Sequence, residues 1–434
     1  MTTLNTVAFE PTNKCHLPAL LESYQREQRK TLATTALPTR KTESWKYAAK
    51  RLGKLTELPR VDTQADTRAD HLANHQNHYD LACQTLVIAN GEIVSDLPDM
   101  SGLSFKPFSA LSDAEIKNVT SGIVAEAEDM PISALNSAHF EQGIYISVAK
   151  GLELETPLRI VIKHNGHGTS FPRVYVDLAP QSKFTLIEEL QVSRESGAVD
   201  TTDSTEVSAF CNQVTDVTIG SGAKLTYLRM NVDQGQVKHV GATGFKLMRD
   251  ARLETHCLAL GSELARHDLR VHMLEPGAEC DLNGVCCTKD RQLFDNHTSI
   301  EHIAANCSSN ENYRCIADDH SQIVFNGRIH IHRDAQKTLG AMSNKNLLLS
   351  SNAEIDSKPE LEIYADDVKC AHGTTIGQLD EEEVYYLKTR GIRDEQARQI
   401  LTLGFVLEIV RAAPVLAIAE FWEQSLAELL SFEG

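Results

Sequence analysis

The sequence predicts a mostly β protein in which a β-solenoid core lies between helical segments. Three observations predict this class. Short segments of alternating apolar and polar residues begin near Cys83, and such alternation is typical of strands. A loose repeat follows, in which a turn of small residues precedes each strand, and Ala223, Ala251 and Ala278 in this repeat lie 28 and 27 residues apart. The two ends of the chain carry apolar residues at helical spacing instead.

The N-terminal region, residues 1–82, is predicted to be helical at first and then polar. Leu17 to Leu32 places apolar residues at the spacing of one helical face, and Val61 to Tyr79 is almost free of large apolar residues. The polar stretch is interpreted as a linker or a solvated helix. It contains three histidines whose spacing would bring them to one helical face, but no further ligand completes a metal site, so a surface role is preferred: His71, His75 and His78.

The core, residues 83–378, is predicted to be β-structure with one helical interruption near Leu111 to Ala127. A single strand–turn–strand unit cannot bury its apolar face alone and needs a neighbour above and below, which favours a solenoid. A two-sheet sandwich is the alternative, because strands of period two with intervening turns suit it equally well.

The C-terminal region, residues 379–434, is predicted to be helical. Asp380 and Glu383 resemble a capping box at the start of one helix, and Gly391 is placed as its stop. A second helix starts near Asp394 and a third carries an apolar stripe up to Leu429. Such stripes are usually core and only secondarily a partner surface.

Composition excludes several classes of function. The 434 residues carry a formal charge of −18 without any basic cluster, so nucleic acid is not an expected partner. The N-terminus lacks the pattern of a secretory signal. The most apolar late stretch, Thr402 to Trp422, is interrupted by charged residues and Pro414, so we expect no membrane span and a cytoplasmic location. The ten cysteines are expected to be reduced and mostly buried.

Familiar catalytic motifs are absent from the sequence. It contains no phosphate-binding loop, no G-x-S-x-G elbow, no H-E-x-x-H and no dinucleotide fingerprint. In "RIHIHRD" (Arg328 to Asp334), His330 and His332 share one strand face. A solvated face is the preferred interpretation, and the alternative is a polysaccharide-active enzyme built on a β-solenoid.

The stretch "LEIYADDVKCAHGTTIG" (Leu361 to Gly377) ends a predicted strand with a cysteine and a histidine two residues apart. Alternation along a strand places Cys370 and His372 on the same side. Two interpretations are open. Either the two side chains bind a ligand, or they contribute only to packing, as a buried cysteine beside a hydrogen-bonded histidine.

This stretch and its surroundings carry a resemblance. "KPELEIYADDVKCAHGTTIGQLDEEEVYYLKTRGI" (Lys358 to Ile392), "FNGRIHI", "SNKNLLLS" and "LPTRKTESWKYA" resemble the SufD branch of the SufB/SufD family, which belongs to the SUF scaffold for iron–sulfur cluster assembly. The tract "KCAHGTTIGQLD" is SufD-like rather than SufB-like, although Ala371 stands where many relatives carry serine.

The resemblance implies a right-handed parallel β-helix with N-terminal and C-terminal helical domains. It implies a non-catalytic scaffold that pairs with a SufB-like paralogue and binds a SufC-like ATPase through the C-terminal helices, as in a SufBCD complex. A transient iron–sulfur cluster would form at the heterodimer interface, with Cys370 and His372 as the expected cluster or metal ligands. None is expected to remain tightly bound to the isolated chain. A plain interaction scaffold without a metal role, and a homodimer of the isolated chain, stay open.

Overall fold

The computed structural model describes residues 16–52, 78–124, 131–164, 167–192, 209–231 and 237–431. Strands make up 45% of it and helices 23%. The helices are Ala19–Thr34, Ala49–Leu52, Asp113–Thr120, Pro131–His139, Glu381–Thr389, Asp394–Arg411 and Leu416–Leu429, with short 3-10 helices at Glu43–Trp45 and Phe108–Ala110.

The strands run from Gln84 to Gly377. In chain order they are β1 Gln84–Ala89, β2 Glu92–Ile93, β3 Leu103–Pro107, β4 Gly143–Val148, β5 Leu158–His164, β6 Gly168–Ser170, β7 Arg173–Leu178, β8 Lys183–Val192, β9 Ala209–Cys211, β10 Val214–Ile219, β11 Lys224–Asn231, β12 Lys238–Leu247, β13 Arg252–Ala259, β14 Leu264–Met273, β15 Glu279–Thr288, β16 Leu293–His302, β17 Ser308–Ala317, β18 Gln322–Ile331, β19 Thr338–Leu348, β20 Glu354–Ile363 and β21 Val368–Gly377.

These strands form a parallel β-solenoid of about seven turns. The ten-strand sheet has the order β2-β1-β5-β8-β11-β13-β15-β17-β19-β21, and the eleven-strand sheet follows β20-β18-β16-β14-β12-β10-β7-β4-β3, with β6 and β9 beside this path. From β10 onward, consecutive strands alternate between the sheets, and each pairs in parallel with the strand one turn away. The predicted solenoid is confirmed and the two-sheet sandwich was wrong.

The first turn differs from the others in its strand direction. β2 pairs antiparallel with β1, and β3 pairs antiparallel with β4. Both reversed strands are short, with two and five residues. Each sheet therefore begins with a reversed strand and ends, at β20 and β21, with a parallel strand of ten residues.

The repeated alanines mark one corner of the solenoid. The strands that follow Ala223, Ala251 and Ala278 start directly opposite one another, so these alanines stack. The residue before each corner position has positive φ, which favours Gly, Asn and Asp, and the corner residue itself is small and buried. The pairs are Gln181–Ser182, Gly222–Ala223, Asp250–Ala251, Gly277–Ala278, Asn306–Cys307 and Lys337–Thr338.

The helical segments cover the outer faces of the two sheets. Trp45 and the helix Pro131–His139 pack on outward-facing apolar residues of the eleven-strand sheet, among them Val240. The C-terminal helices, which are Glu381–Thr389, Asp394–Arg411 and Leu416–Leu429, bury residues such as Trp422 against the ten-strand sheet. Trp45 and the helix Pro131–His139 therefore cover the outer side of the eleven-strand sheet, and the C-terminal helices cover that of the ten-strand sheet.

The C-terminal helices start where the sequence predicts. Asp380 accepts a hydrogen bond from the backbone N–H of Glu382 at 2.8 Å and so caps the first of them. This is a simple N-cap, because the bond that Glu383 would return in a capping box does not form in this described helix. Gly391 follows the helix with φ of 85°, as expected of a C-terminal stop.

Candidate functional site

The solenoid ends at two neighbouring edge strands. β21 is the last strand of the ten-strand sheet and β20 is the last strand of the eleven-strand sheet. Within the described chain, each pairs on one side only, with β19 and β18 respectively. The free backbone groups of two ten-residue strands therefore face outward at this open end.

Cys370 lies on β21 directly opposite Gly340 of β19. Its side chain is half-buried and packs against the interior core. A Cβ on Gly340 would come 3.3 Å from the Cys370 sulfur, so glycine leaves room for the thiol. Burial raises the pKa of the Cys370 thiol, although a hydrogen bond from the Gly340 backbone opposes this. The thiol form of Cys370 is therefore favoured.

His372 lies opposite Met342, two residues beyond Cys370 on the same strand. Alternation puts both side chains on the interior side of β21. Thr374, the next residue on that side, lies 2.9 Å from the Ser357 hydroxyl of β20, which locates this face inside the solenoid end. The side chain of His372 is exposed and forms no hydrogen bond with any residue that the structure describes, although its backbone belongs to the β19–β21 ladder. The expected shared face is present, while the role of these residues as ligands stays a prediction.

Exposed apolar side chains cluster in two places. Ile363 and Tyr364 at the end of β20, and Ile376 on β21, surround the open end. The C-terminal helices expose a second set: Tyr385, Tyr386, Ile400 and Leu416. Exposed apolar surface of this kind commonly marks a protein interface.

The histidine pair at the end of β18, His330 and His332, was predicted to lie on a solvated face but is instead half-buried in the structure. The Glu301 carboxylate lies 2.7 Å from Nδ1 of His330 and 2.9 Å from Nε2 of His332. Burial raises the pKa of Glu301, but the hydrogen bond from His332 and the charge of Arg328 outweigh it, so this pKa lies below its usual range. The sequence did not indicate a role for Glu301, which lies one solenoid turn before His330.

The polar N-terminal stretch lies partly outside the described residues, including His71 and His75. His78 stacks on Phe421 with ring centroids 5.4 Å apart. Tyr79 is buried, and its hydroxyl lies 3.2 Å from Glu189. The end of this stretch therefore docks between the solenoid and the C-terminal helices, where a solvated linker was expected.

Nine cysteines are described, and all are free thiols, seven of them buried. This agrees with the expected reduced and buried cysteines. Among the helices of the described ranges, none has the length and apolar character needed to span a membrane.

Comparisons with known proteins identify the family. Residues 160–405 match the sequence model of the family described as "SUF system FeS cluster assembly, SufBD core domain". The iron-sulfur cluster assembly protein SufD of Escherichia coli is 29% identical, over 88% of this chain and 86% of its own length. An iron-sulfur cluster assembly SufBD family protein of Synechocystis is 27% identical, over 89% and 86%.

A chloroplast relative extends the similarity beyond bacteria. Protein ABCI7 of Arabidopsis thaliana is 27% identical over 91% of this chain and 83% of its own length. These relatives therefore match nearly the whole chain, and the family match covers most of the solenoid, the first C-terminal helix and part of the second. The chain belongs to the SufBD family of the SUF system, and its role lies in iron–sulfur cluster assembly.

Proposed function

We propose that this chain is a non-catalytic scaffold subunit of a cytoplasmic SufBCD-type complex. Its open solenoid end pairs with a SufB-like paralogue, and its C-terminal helices bind a SufC-like ATPase. A nascent iron–sulfur cluster, which is cargo rather than a resident cofactor, forms at the paralogue interface beside Cys370 and His372. The observation that carries the proposal is the presence of these two side chains on an edge strand that, within the described chain, pairs on one side only.

The open end suits a partner that also offers strands. An added strand satisfies the free backbone groups of β20 or β21, and apolar side chains then supply specificity. Ile363, Tyr364 and Ile376 are positioned to be buried in this way. A second copy of this chain carries the same edges, so a homodimer of the isolated chain uses the same surface.

Thiolate and imidazole are both ligands of iron–sulfur species. Cys370 is anchored by its packing, whereas His372 is exposed at the interface and free to turn toward a partner. A site with two donors on one edge is incomplete without further ligands, which the partner supplies. The cluster therefore belongs to the assembled complex and leaves the isolated chain without a tightly held cluster.

The C-terminal helices suit the second partner. Tyr385 and Leu416 are 68% and 71% exposed, although the same helices bury an apolar face on the ten-strand sheet. Since the sequence lacks a phosphate-binding loop, nucleotide hydrolysis falls to that partner. The alternative of a polysaccharide-active enzyme has less support. Two carboxylates lie near His330, those of Glu301 and Glu362, and both are paired with Arg328.

The test is co-expression with the SufB-like and SufC-like partners, followed by purification through a tag on this chain. The proposal expects both partners to co-purify and the reconstituted complex to hold iron and sulfide, while the isolated chain holds neither. A complex that lacks the paralogue, or turnover of a polysaccharide by the isolated chain, would contradict it.

A further inference from the structure

A cluster of metal-binding side chains lies on the outer face of the eleven-strand sheet. Glu301 of β16 is directly opposite His330 of β18, and His332 follows two residues later on the same side. The two imidazole rings stack with their centroids 4.2 Å apart. The Glu301 carboxylate contacts both rings through the same oxygen, Oε2, at 2.7 Å and 2.9 Å.

Two close contacts of Nδ1 of His330 place opposite demands on this atom. Oε2 of Glu301 lies 2.7 Å from Nδ1 of His330 without forming a hydrogen bond to it, and because this oxygen can only accept, the close contact is favourable only with a proton on Nδ1. Nη2 of Arg328 lies 3.0 Å from the same Nδ1 and can only donate, so it requires a lone pair there. One ring nitrogen cannot meet both demands. A cation bound by Nδ1 and Oε2 together removes the conflict, because both atoms then direct a lone pair at the ion.

Arg328 retains partners in that arrangement. Its Nη1 lies 2.6 Å from Oε1 of Glu301, and its Nε and Nη2 lie 2.9 Å and 3.1 Å from the carboxylate of Glu362. The guanidinium therefore holds Oε1 and leaves Oε2 for the ion. Orientation of a ligand by a neighbouring hydrogen bond of this kind is usual at metal sites.

The distances suit a first-row metal ion. One ligand atom from each of Glu301, His330 and His332 lies within 4.8 Å of the other two. When each ligand atom lies about 2.0–2.2 Å from a tetrahedral metal ion, neighbouring ligand atoms are about 3.3 Å apart. The three side chains therefore need to move by no more than about 1 Å to bind the ion. The His332 side chain is 42% exposed, which leaves a path for the ion and space for water as a further ligand.

We propose that Glu301, His330 and His332 bind one divalent first-row transition-metal ion, with Zn²⁺ and Fe²⁺ as the ions that suit two imidazoles and a carboxylate. This site goes beyond the proposed function. Cys370 and His372 lie on the other sheet and face the interior of the solenoid, whereas this cluster faces outward. The ion bound here is therefore separate from the cluster assembled at the open end.

The test uses the purified full-length chain after removal of metals with a chelator. Zn²⁺ binding is measured by equilibrium dialysis with elemental analysis, and Co²⁺ is added separately because its visible absorption bands report the ligand geometry. The chain is expected to bind one more ion of each metal than the variant His330→Asn/His332→Gln, which keeps hydrogen-bonding groups of similar shape. Glu301→Gln is expected to weaken binding by at least about tenfold.

Two controls locate the ion. Cys370→Ser/His372→Ala should keep this binding and the Co²⁺ spectrum, and so should His320→Ala, which removes an exposed histidine from a turn. Circular dichroism checks that each variant is folded. Equal Zn²⁺ binding by the unmodified chain and by His330→Asn/His332→Gln would overturn the proposal. Loss of the ion in Cys370→Ser/His372→Ala would also overturn it, because the ion would then lie at the open end.

Discussion

Gly340 lies directly opposite Cys370 in the last strand pair of the ten-strand sheet, where a Cβ would come 3.3 Å from the sulfur. The last turn therefore combines a packed cysteine with an exposed histidine two residues away. Packing holds the thiol in place, and exposure leaves the imidazole free to meet a partner. This difference makes the two candidate ligands separable by mutation.

His372→Ala is expected to leave the fold and the complex intact but to reduce cluster formation sharply. The ring is exposed and contributes little to stability, whereas a cluster would lose a ligand. The measurement is activation of an iron–sulfur enzyme in cells that depend on this system, with complex integrity followed by co-purification. His320→Ala is the matched control. Normal activation by His372→Ala would favour the packing interpretation.

Cys370→Ala is expected to reduce activation less than His372→Ala does, because the paralogue can supply a thiolate of its own. The same cell assay measures it. Because Cys370 packs against the core, the thermal stability of the Cys370→Ala variant must be compared with that of the unmodified chain. A larger loss of activation than in His372→Ala, at equal stability, would contradict this ranking.

Ile363→Asp combined with Ile376→Asp is expected to abolish pairing with the paralogue. Both residues are exposed at the open end, and a charge buried without a partner in an apolar interface is costly. Leu97→Asp is the control, because Leu97 is similarly exposed but far from the last strands in the sheet order. Co-purification of the paralogue and of the ATPase is measured in parallel. Retained pairing would move the interface elsewhere.

Tyr385→Ala combined with Leu416→Asp is expected to abolish ATPase binding while the paralogue still binds. Point variants are preferable to removal of residues 380–434, because the helices also cover the apolar outer face of the ten-strand sheet. Their removal would expose that face and lower stability as well. ATPase binding at full strength by the double variant would exclude this surface as the docking site.

Glu311 is expected to make the chain less stable as pH rises. Complete burial raises the pKa of Glu311 to about 7, although the Thr298 hydroxyl, which donates a hydrogen bond at 2.6 Å, opposes the shift. The unfolded chain releases this proton at lower pH than the folded chain does. Stability is therefore lost between the unfolded pKa of roughly 4.3 and the folded pKa.

Glu311→Gln tests this pH dependence. Relative to the unmodified chain, it should unfold at a much higher denaturant concentration at pH 8 and at an only slightly higher concentration at pH 5, as followed by circular dichroism. The expected gain at pH 8 is on the order of 3 kcal/mol. An equal difference at both pH values would show that packing, rather than the carboxyl proton, accounts for the effect.

How much of the fold and of the candidate site could be predicted from the sequence depends on whether the interactions involved join residues close together or far apart in the chain. The strand that carries Cys370 and His372 follows from local alternation, and the start of the C-terminal helices follows from Asp380. The choice between a solenoid and a sandwich could not be made locally, because it depends on which strands pair. The repeat of Ala223, Ala251 and Ala278 carried that information, since stacked corners require equal spacing.

The histidine pair shows where local patterns are insufficient. His330 and His332 share a strand face, as expected, but their burial is set by Glu301, one turn away, and by Arg328 on their own strand. Similarly, nothing local to Tyr79 predicts that it would dock on Glu189. The spacing of one solenoid turn from Glu301 to His330 is the signal that could have identified the cluster.

The reversed strands β2 and β3 set a limit on assembly. They end the first turn with short strands that run against the direction of the solenoid, so among the described strands the two long outer edges lie at β20 and β21. If two chains pair through these ends, as proposed, each would leave the end with the short reversed strands as its outer end among the described strands. The proposed assembly would therefore stop at a pair and give a particle of fixed size rather than a filament.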